Sequence, residues 1–176
     1  MERIQLLTTE NAPAKSKEVM EEITKGGGKI INIFKAMANS PAVLKTFFGI
    51  AKALEEKTLD NAIAERIAIQ VATMNNCEYC LAAHCYLASP ILSQEEISSA
   101  RGGQSADAKA QSALDFAGSV MKNVGKVSDE ELEKVKSAGF SEGEVLEIVA
   151  VVTQNFFTNS INNVSKTKVD FPKPKA

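Results

Sequence analysis

The stretch that decides the fold is "DNAIAERIAIQVATM", from Asp60 to Met74, followed directly by "NNCEYCLAAHC", from Asn75 to Cys85. Ile63, Ile67, Val71 and Met74 recur at intervals of four, four and three, the spacing that keeps side chains on one face of an α-helix. Asn75-Asn76 reads as a tight turn. A second helix is predicted to start at about Cys77 and to stop before Ser89-Pro90, because a proline biases the residue ahead of it away from helical geometry. The two helices make an antiparallel hairpin, in which Glu65, about ten residues before the turn, and His84, about eight after it, fall at similar heights. The second half of the hairpin holds all three cysteines of the chain and its only histidine.

Outward from the hairpin the periodicity stays helical. Pro13 opens a first helix carrying Val19, Met20 and Ile23, and Gly26-Gly27-Gly28 stops it. A short apolar piece runs from Ile30 to Met37. Ser40-Pro41 reads as N-cap and first residue of a helix ending near Glu56, with Val43, Leu44, Phe47, Phe48, Ile50, Ala51 and Leu54 as its inner stripe. Ser93-x-x-Glu96 is a capping box for a short helix ended by Gly102-Gly103, and Asp107 to Asn123 is a helix closed by Gly125. Two more capping boxes, Ser128-x-x-Glu131 and Ser141-x-x-Glu144, begin a short helix and then a long apolar one, Val145 to about Ile161. Lys166 to Ala176, with Pro172 and Pro174, reads as an extended arm. No segment alternates as a strand does. The expected fold is all-α: one domain over 1–165, with its core in 30–165 and seven or eight helices, then the arm 166–176. Sliding the chain by 79 positions lays Glu65 on Glu144 and Asn76 on Asn155, and puts the thiols and the imidazole on Phe156, Asn159 and Asn163. That pattern predicts a duplicated helical hairpin in which only the first copy carries chemistry.

A chain of 176 residues can bury a core without disulfide staples. A net charge of −2 argues against a surface that grips nucleic acid or anionic membrane, both of which need clustered Lys and Arg. No apolar run approaches the roughly 20 residues that span a bilayer. "MERIQLLTTEN" lacks a basic stretch followed by an apolar one, so no secretory signal is read and the cytoplasm is the expected location. Thiols there are kept reduced, so a tight cysteine cluster points to redox or metal chemistry.

On a helix, Cys77, Cys80 and His84 stand at i, i+3 and i+7, along one stripe. Two thiols three residues apart can close a disulfide, and the partial positive charge of the helix start favours thiolate. His84, one turn beyond Cys80, can accept or return a proton. Cys85 points about 100° away from His84 and reads as a small buried hydrophobe. A carboxylate within an apolar helix is costly unless paired. Glu65 therefore either orients His84 or pairs with Arg66 or another cation. Zinc would find three ligands in Cys77, Cys80 and His84, one short of a closed site.

The spacing Glu65-x11-Cys77-x-x-Cys80-x-x-x-His84 resembles the active-site signature of the alkylhydroperoxidase D family, within the wider carboxymuconolactone decarboxylase-like superfamily. "IFKAMANSPAVLKTFFGIAKAL", residues 33–54, resembles the helices that precede that site in the family's peroxidase-related members. The resemblance covers about residues 30 to 165 and is sharpest over 60 to 90. It implies an all-helical fold assembled as a trimer or hexamer, and reduction of organic or hydrogen peroxides without haem, flavin or any other cofactor. It implies that Cys80 attacks the peroxide, that Cys77 resolves the sulfenic acid into a disulfide, and that Glu65 and His84 relay protons. A lipoyl or thioredoxin-type dithiol would then reduce the disulfide. Tyr79 stands where the prototype has a second histidine, as it does in many peroxidase-related members, and removes one imidazole from the site. The decarboxylase branch lacks the cysteine pair, so decarboxylation is not implied. Two other readings use the same residues: a disulfide oxidoreductase or redox sensor, and a metal-binding or structural module. Phe156, Phe157 and Ile161 on the last helix form an apolar surface in keeping with a homo-oligomer.

Overall fold

The structure, a computed structural model, describes residues 2–174. They form nine α-helices: α1 (Ala14–Lys25), α2 (Asn32–Met37), α3 (Pro41–Ala53), α4 (Asn61–Met74), α5 (Glu78–Ala88), α6 (Gln94–Arg101), α7 (Ala108–Asn123), α8 (Asp129–Ser137) and α9 (Glu142–Ser165). No strand occurs among the described residues, so the fold is all-α as the sequence predicts. One helix more is formed than expected, because the short apolar piece ahead of Ser40 closes into the six-residue α2.

The capping residues act where the sequence places them. Ser93, Ser128 and Ser141 each close a reciprocal capping box, and Ser40, Asp60 and Asp107 each accept backbone N–H bonds at the start of their helices. α4 lies at the centre, against α5, α6, α7 and α9. Its neighbours on every side explain why Ile67, Ala68, Ile69, Val71 and Ala72 are all buried. Of the polar residues it buries, Arg66 Nη2 donates to Glu96 Oε1 at 2.6 Å, and Gln70 Nε2 donates to the Leu114 carbonyl at 3.1 Å while Gln70 Oε1 is buried without a partner. Arg66 is thus committed to α6, which removes it as a partner for Glu65.

Two expectations are corrected, for the last helix and for the end of α7. α9 is one helix of 24 residues, longer at both ends than expected and without a turn. The second copy of the proposed duplication is therefore not a hairpin. Asn76 takes a left-handed φ of 50° and reverses the chain, whereas Asn155 stays helical and donates its amide to the Val151 carbonyl at 2.9 Å. Along α3 the expected inner stripe does face inward: Leu44 is fully buried, Val43, Phe47, Phe48, Ile50, Ala51 and Leu54 are half-buried, and the residues between them are exposed. Val43, Phe47 and Phe48 pack against the cluster that holds Leu44, Cys77 and Cys80, and Phe47 and Phe48 meet Phe34 of α2 at centroid distances of 5.3 and 5.0 Å. At the end of α7 it is Val124, ahead of Gly125, that first takes the left-handed conformation, with φ 53°.

A β-branched residue is strained there, and Val124 is 88% exposed. Val124→Gly is expected to stabilise the fold by about 1 kcal/mol, raising Tm by about 2–4 °C in a thermal melt.

The arm that follows α9 is docked. The Asn32 backbone N–H donates to Asp170 Oδ2 at 2.9 Å, Asn32 Nδ2 donates to the Lys168 carbonyl at 3.0 Å, and the Tyr79 hydroxyl donates to Asp170 Oδ1 at 2.7 Å. Phe171 meets Tyr79 edge-on at 5.7 Å. Residue 1 of the expected domain and residues 175 and 176 of the expected arm lie outside the described residues.

Candidate active site

The turn at Asn75-Asn76 sets the start of α5, and α9 holds the turn. Asn75 Nδ2 donates to Asn159 Oδ1 at 2.9 Å, and Asn163 Nδ2 donates to the Asn75 carbonyl at 2.9 Å. Cys77 is the N-cap of α5, a position where oxygen side chains are usual. Its sulfur accepts the Cys80 backbone N–H at 3.3 Å. Both sulfurs therefore sit in the first turn, at the positive end of the helix dipole. All three cysteines are free thiols.

Cys77 is 1% and Cys80 3% exposed. The two thiols are nevertheless unequal. The Cys77 thiol donates towards the Cys80 sulfur, which lowers the Cys80 pKa to about 7 against the opposing effect of burial. Asn162 Nδ2, donating to Cys80 Sγ at 3.2 Å, and the nearby charge of His84 act in the same direction. Cys77 is pushed up, first because its proton is held in the bond to Cys80 and then by burial. The pair thus has one poised thiolate and one proton donor.

His84 Nδ1 lies 2.9 Å from Glu65 Oε2. Burial disfavours a charge on the imidazole, yet the Glu65 carboxylate, assisted by the Cys80 sulfur, holds its pKa above the ordinary histidine value. The four residues read from the sequence, Glu65, Cys77, Cys80 and His84, are brought together. Cys85 goes elsewhere, into a cluster with Ile69, Ala88, Leu92 and Ile97, with Arg101 Nη2 at 3.8 Å. Burial raises its pKa. Among the described residues no group of three His, Cys, Asp or Glu side chains is arranged to hold a metal ion.

Three cavities meet at the site. An apolar one of about 200 Å³ has Cys80 and His84 on its floor and Phe34, Phe47, Leu87 and Phe171 in its walls. A second, of about 210 Å³, reaches Glu65 and His84, with Glu55, Lys57 and Asn61 around it. The third, a polar cleft of about 470 Å³, reaches Cys77 between Glu78, Asn163 and Lys166. His84 is shared by the first two, so its ring can pass a proton from the Cys80 side to the Glu65 side.

Two sets of residues at the site escape a reading by motif. The first is the buried polar row Asn155, Thr158, Asn159 and Asn162 on α9. Its helical spacing within an apolar helix was the available signal. The second is Asp170 and Phe171, which tie the arm to Tyr79; nothing in their local sequence marks them.

Residues 41–120 match the model of the carboxymuconolactone decarboxylase family. The match spans 80 of the 176 residues and is a likeness to that family centred on the hairpin. The matched region runs from α3 into α7 and contains Glu65, both hairpin cysteines and His84. The asparagines of α9 lie beyond it. An alkylhydroperoxidase core protein from Ralstonia eutropha JMP134, described as an uncharacterised peroxidase-related protein, superposes with a TM-score of 0.82 at 20% identity, over 96% of this chain and 92% of that one. A peroxidase-related protein from Silicibacter sp. TM1040 gives 0.77 at 23% identity, over 94% and 89%. The debrominase Bmp8, solved with 2,3,4-tribromopyrrole, gives 0.76 at 18% identity, over 96% and 91%. These likenesses show that the chain has the alkylhydroperoxidase D-like fold. No curated protein sequence matches it significantly. None of its described helices is long and apolar enough to cross a membrane.

Proposed function

We propose that the protein is a thiol-dependent peroxidase acting on organic or hydrogen peroxides through Cys80 and Cys77, in antioxidant defence. The observation that carries this reading is that His84, held by Glu65 at 2.9 Å, opens on the same cavity as the poised Cys80 thiol. The Cys80 thiolate attacks one peroxide oxygen. The O–O bond breaks, and the departing alkoxide takes the proton of His84 as it leaves. Cys80 is now a sulfenic acid. The Cys77 sulfur displaces its hydroxyl, which leaves as water with the Cys77 proton, and a disulfide remains. Glu65 orients the imidazole and favours its reprotonation. A lipoyl or thioredoxin-type dithiol returns the disulfide to two thiols. No bound cofactor takes part. The cytoplasm, where such donors keep thiols reduced, is the proposed setting.

The test is consumption of tert-butyl hydroperoxide and hydrogen peroxide with dihydrolipoamide or a thioredoxin-type donor. Peroxide loss that depends on protein and donor is the expected result. Disulfide exchange with a donor but no peroxide consumption would move the assignment to a disulfide oxidoreductase or redox sensor. The likeness to a debrominase and the aromatic walls of the Cys80 cavity support adding a brominated pyrrole to the same panel, since a cysteine pair is a two-electron reductant whatever bond it cleaves.

We also propose that the protein is a homo-oligomer, a trimer or hexamer. Leu146, Phe156 and Val164 leave an apolar stripe exposed on α9, with Phe156 at 50%. Light scattering is expected to give a multiple of the 18.9 kDa chain mass, and Phe156→Glu to shift it towards the monomer. A wild-type monomer at micromolar concentration would refute this.

A further inference from the structure

The cavities assign different openings to the two sulfurs. The apolar cavity is lined by Cys80 and not by Cys77; the polar cleft is lined by Cys77 and not by Cys80. Tyr79 and Asn162 line both and stand between them. Tyr79, the residue that replaces an imidazole in the prototype's motif, is fixed there from two directions. Its hydroxyl donates to Asp170 Oδ1 at 2.7 Å and accepts the Ile33 N–H at 3.2 Å.

We propose that the cysteine pair is served from two sides: the oxidant reaches Cys80 through the apolar cavity, and a dithiol reductant attacks Cys77 through the polar cleft. The inference rests on the peroxidase reading for the oxidant but not for the reductant. Its chemistry balances. A donor thiolate bonds to Cys77 Sγ, the Cys77–Cys80 bond breaks, and its electron pair leaves on Cys80 as thiolate. The second donor thiol then loses its proton and attacks the donor sulfur of the mixed disulfide. Cys77 departs and takes up a proton. The donor ends as a disulfide and the protein as a dithiol.

Three observations favour this direction of attack. Exchange is faster when the leaving sulfur has the lower pKa, and Cys80 is the sulfur whose thiolate Asn162 and His84 support. A reductant must bring a sulfur on a carrier, and the cleft offers about 470 Å³ against about 200 Å³ on the Cys80 side. The cleft is polar, and one of its walls is the start of the arm, Lys166, Thr167 and Val169, rather than a packed helix. The Cys80 cavity is walled by aromatic and aliphatic side chains that suit a small apolar peroxide better than a polar carrier.

The experiment measures each half-reaction alone. The disulfide is made with diamide, so its reduction is followed without any peroxide. Lys166→Trp obstructs the cleft from an exposed position, and Leu87→Trp obstructs the apolar cavity from a residue that is 51% exposed. Lys166→Trp is expected to slow reduction about tenfold and leave oxidation by tert-butyl hydroperoxide unchanged; Leu87→Trp is expected to do the reverse. Slowing with dihydrolipoamide as well as with a thioredoxin-type donor supports a small dithiol arm as the occupant. Slowing with the protein donor alone supports a docked protein loop. A thioredoxin-type protein lacking its second cysteine is expected to be trapped on Cys77, mapped by fragment-ion mass spectrometry. A trapped adduct on Cys80, or equal slowing of both half-reactions by either variant, overturns the proposal. If no peroxide oxidises the wild type, the peroxidase reading fails, while the reduction rates and the trapped adduct still decide which sulfur the donor attacks.

Discussion

Cys80→Ser is expected to abolish peroxide consumption, lowering the protein-dependent rate by about 10³-fold or more. Cys77→Ser is expected to behave differently. It still carries out one turnover, leaving a sulfenic acid on Cys80 that dimedone traps, and then stops because no thiol is present to displace the hydroxyl. The asymmetry follows from the geometry. Cys80 receives hydrogen bonds from the Cys77 thiol and from Asn162 Nδ2 and opens on the apolar cavity, whereas Cys77 keeps its proton and faces the polar cleft. Serine has a hydroxyl of far higher pKa and no electron-rich sulfur, so it cannot attack an O–O bond at neutral pH. The check is peroxide consumption for both variants, with the site of dimedone labelling mapped in Cys77→Ser. Equal slow rates in wild type and Cys80→Ser would remove Cys80 from the mechanism.

Glu65→Gln is expected to lower turnover by about 10²–10⁴-fold, the usual range for loss of positioned acid–base catalysis. It should also move the pH profile of Cys80 alkylation upwards. Burial opposes charge on His84, and the Glu65 carboxylate is what overrides it. Glutamine keeps the shape but loses the charge, so the imidazole becomes neutral at a lower pH and no longer supports the Cys80 thiolate. The same interaction affects stability. His84 has a folded-state pKa above its unfolded value of about 6.5. Its pairing with Glu65 therefore stabilises the fold fully below that unfolded value and loses this effect as pH rises through the folded pKa. Wild type is expected to exceed Glu65→Gln in Tm by more at pH 6 than at pH 9, the two test conditions at about those values. An alkylation profile that Glu65→Gln leaves unmoved would return Glu65 to a structural role.

The hairpin and its four residues were legible because the relevant information is local. Helical spacing aligns Cys77, Cys80 and His84, and one short turn returns Glu65 to the imidazole. The partner that the sequence left undecided for Glu65 was decided by a distant helix: Arg66 reaches Glu96 on α6, and Glu65 is left to His84. The remaining site residues come from far along the chain. Asn162 lies 82 positions from the sulfur it touches, and Asp170 lies 91 from Tyr79. In the sequence Asn155, Asn159 and Asn162 look like any polar face; only the placing of α9 across the turn gives them a sulfur and an amide to bond. The shifted self-comparison erred for a related reason. It matched apolar spacing that any buried helix shares, and it had no term for the left-handed φ at Asn76 that makes the first copy a hairpin. The arm read only as extended, because Pro172 and Pro174 rule out a helix without indicating where the segment docks.

The central claim is that Cys80 is a thiolate prepared by its neighbours. Its most direct test is the pH dependence of iodoacetamide alkylation, resolved for each cysteine by fragment-ion mass spectrometry. Cys80 is predicted to react first, with a midpoint at about 7. Reaction of Cys77 ahead of Cys80, or a Cys80 midpoint at the free-cysteine value of about 8.5, would contradict the account.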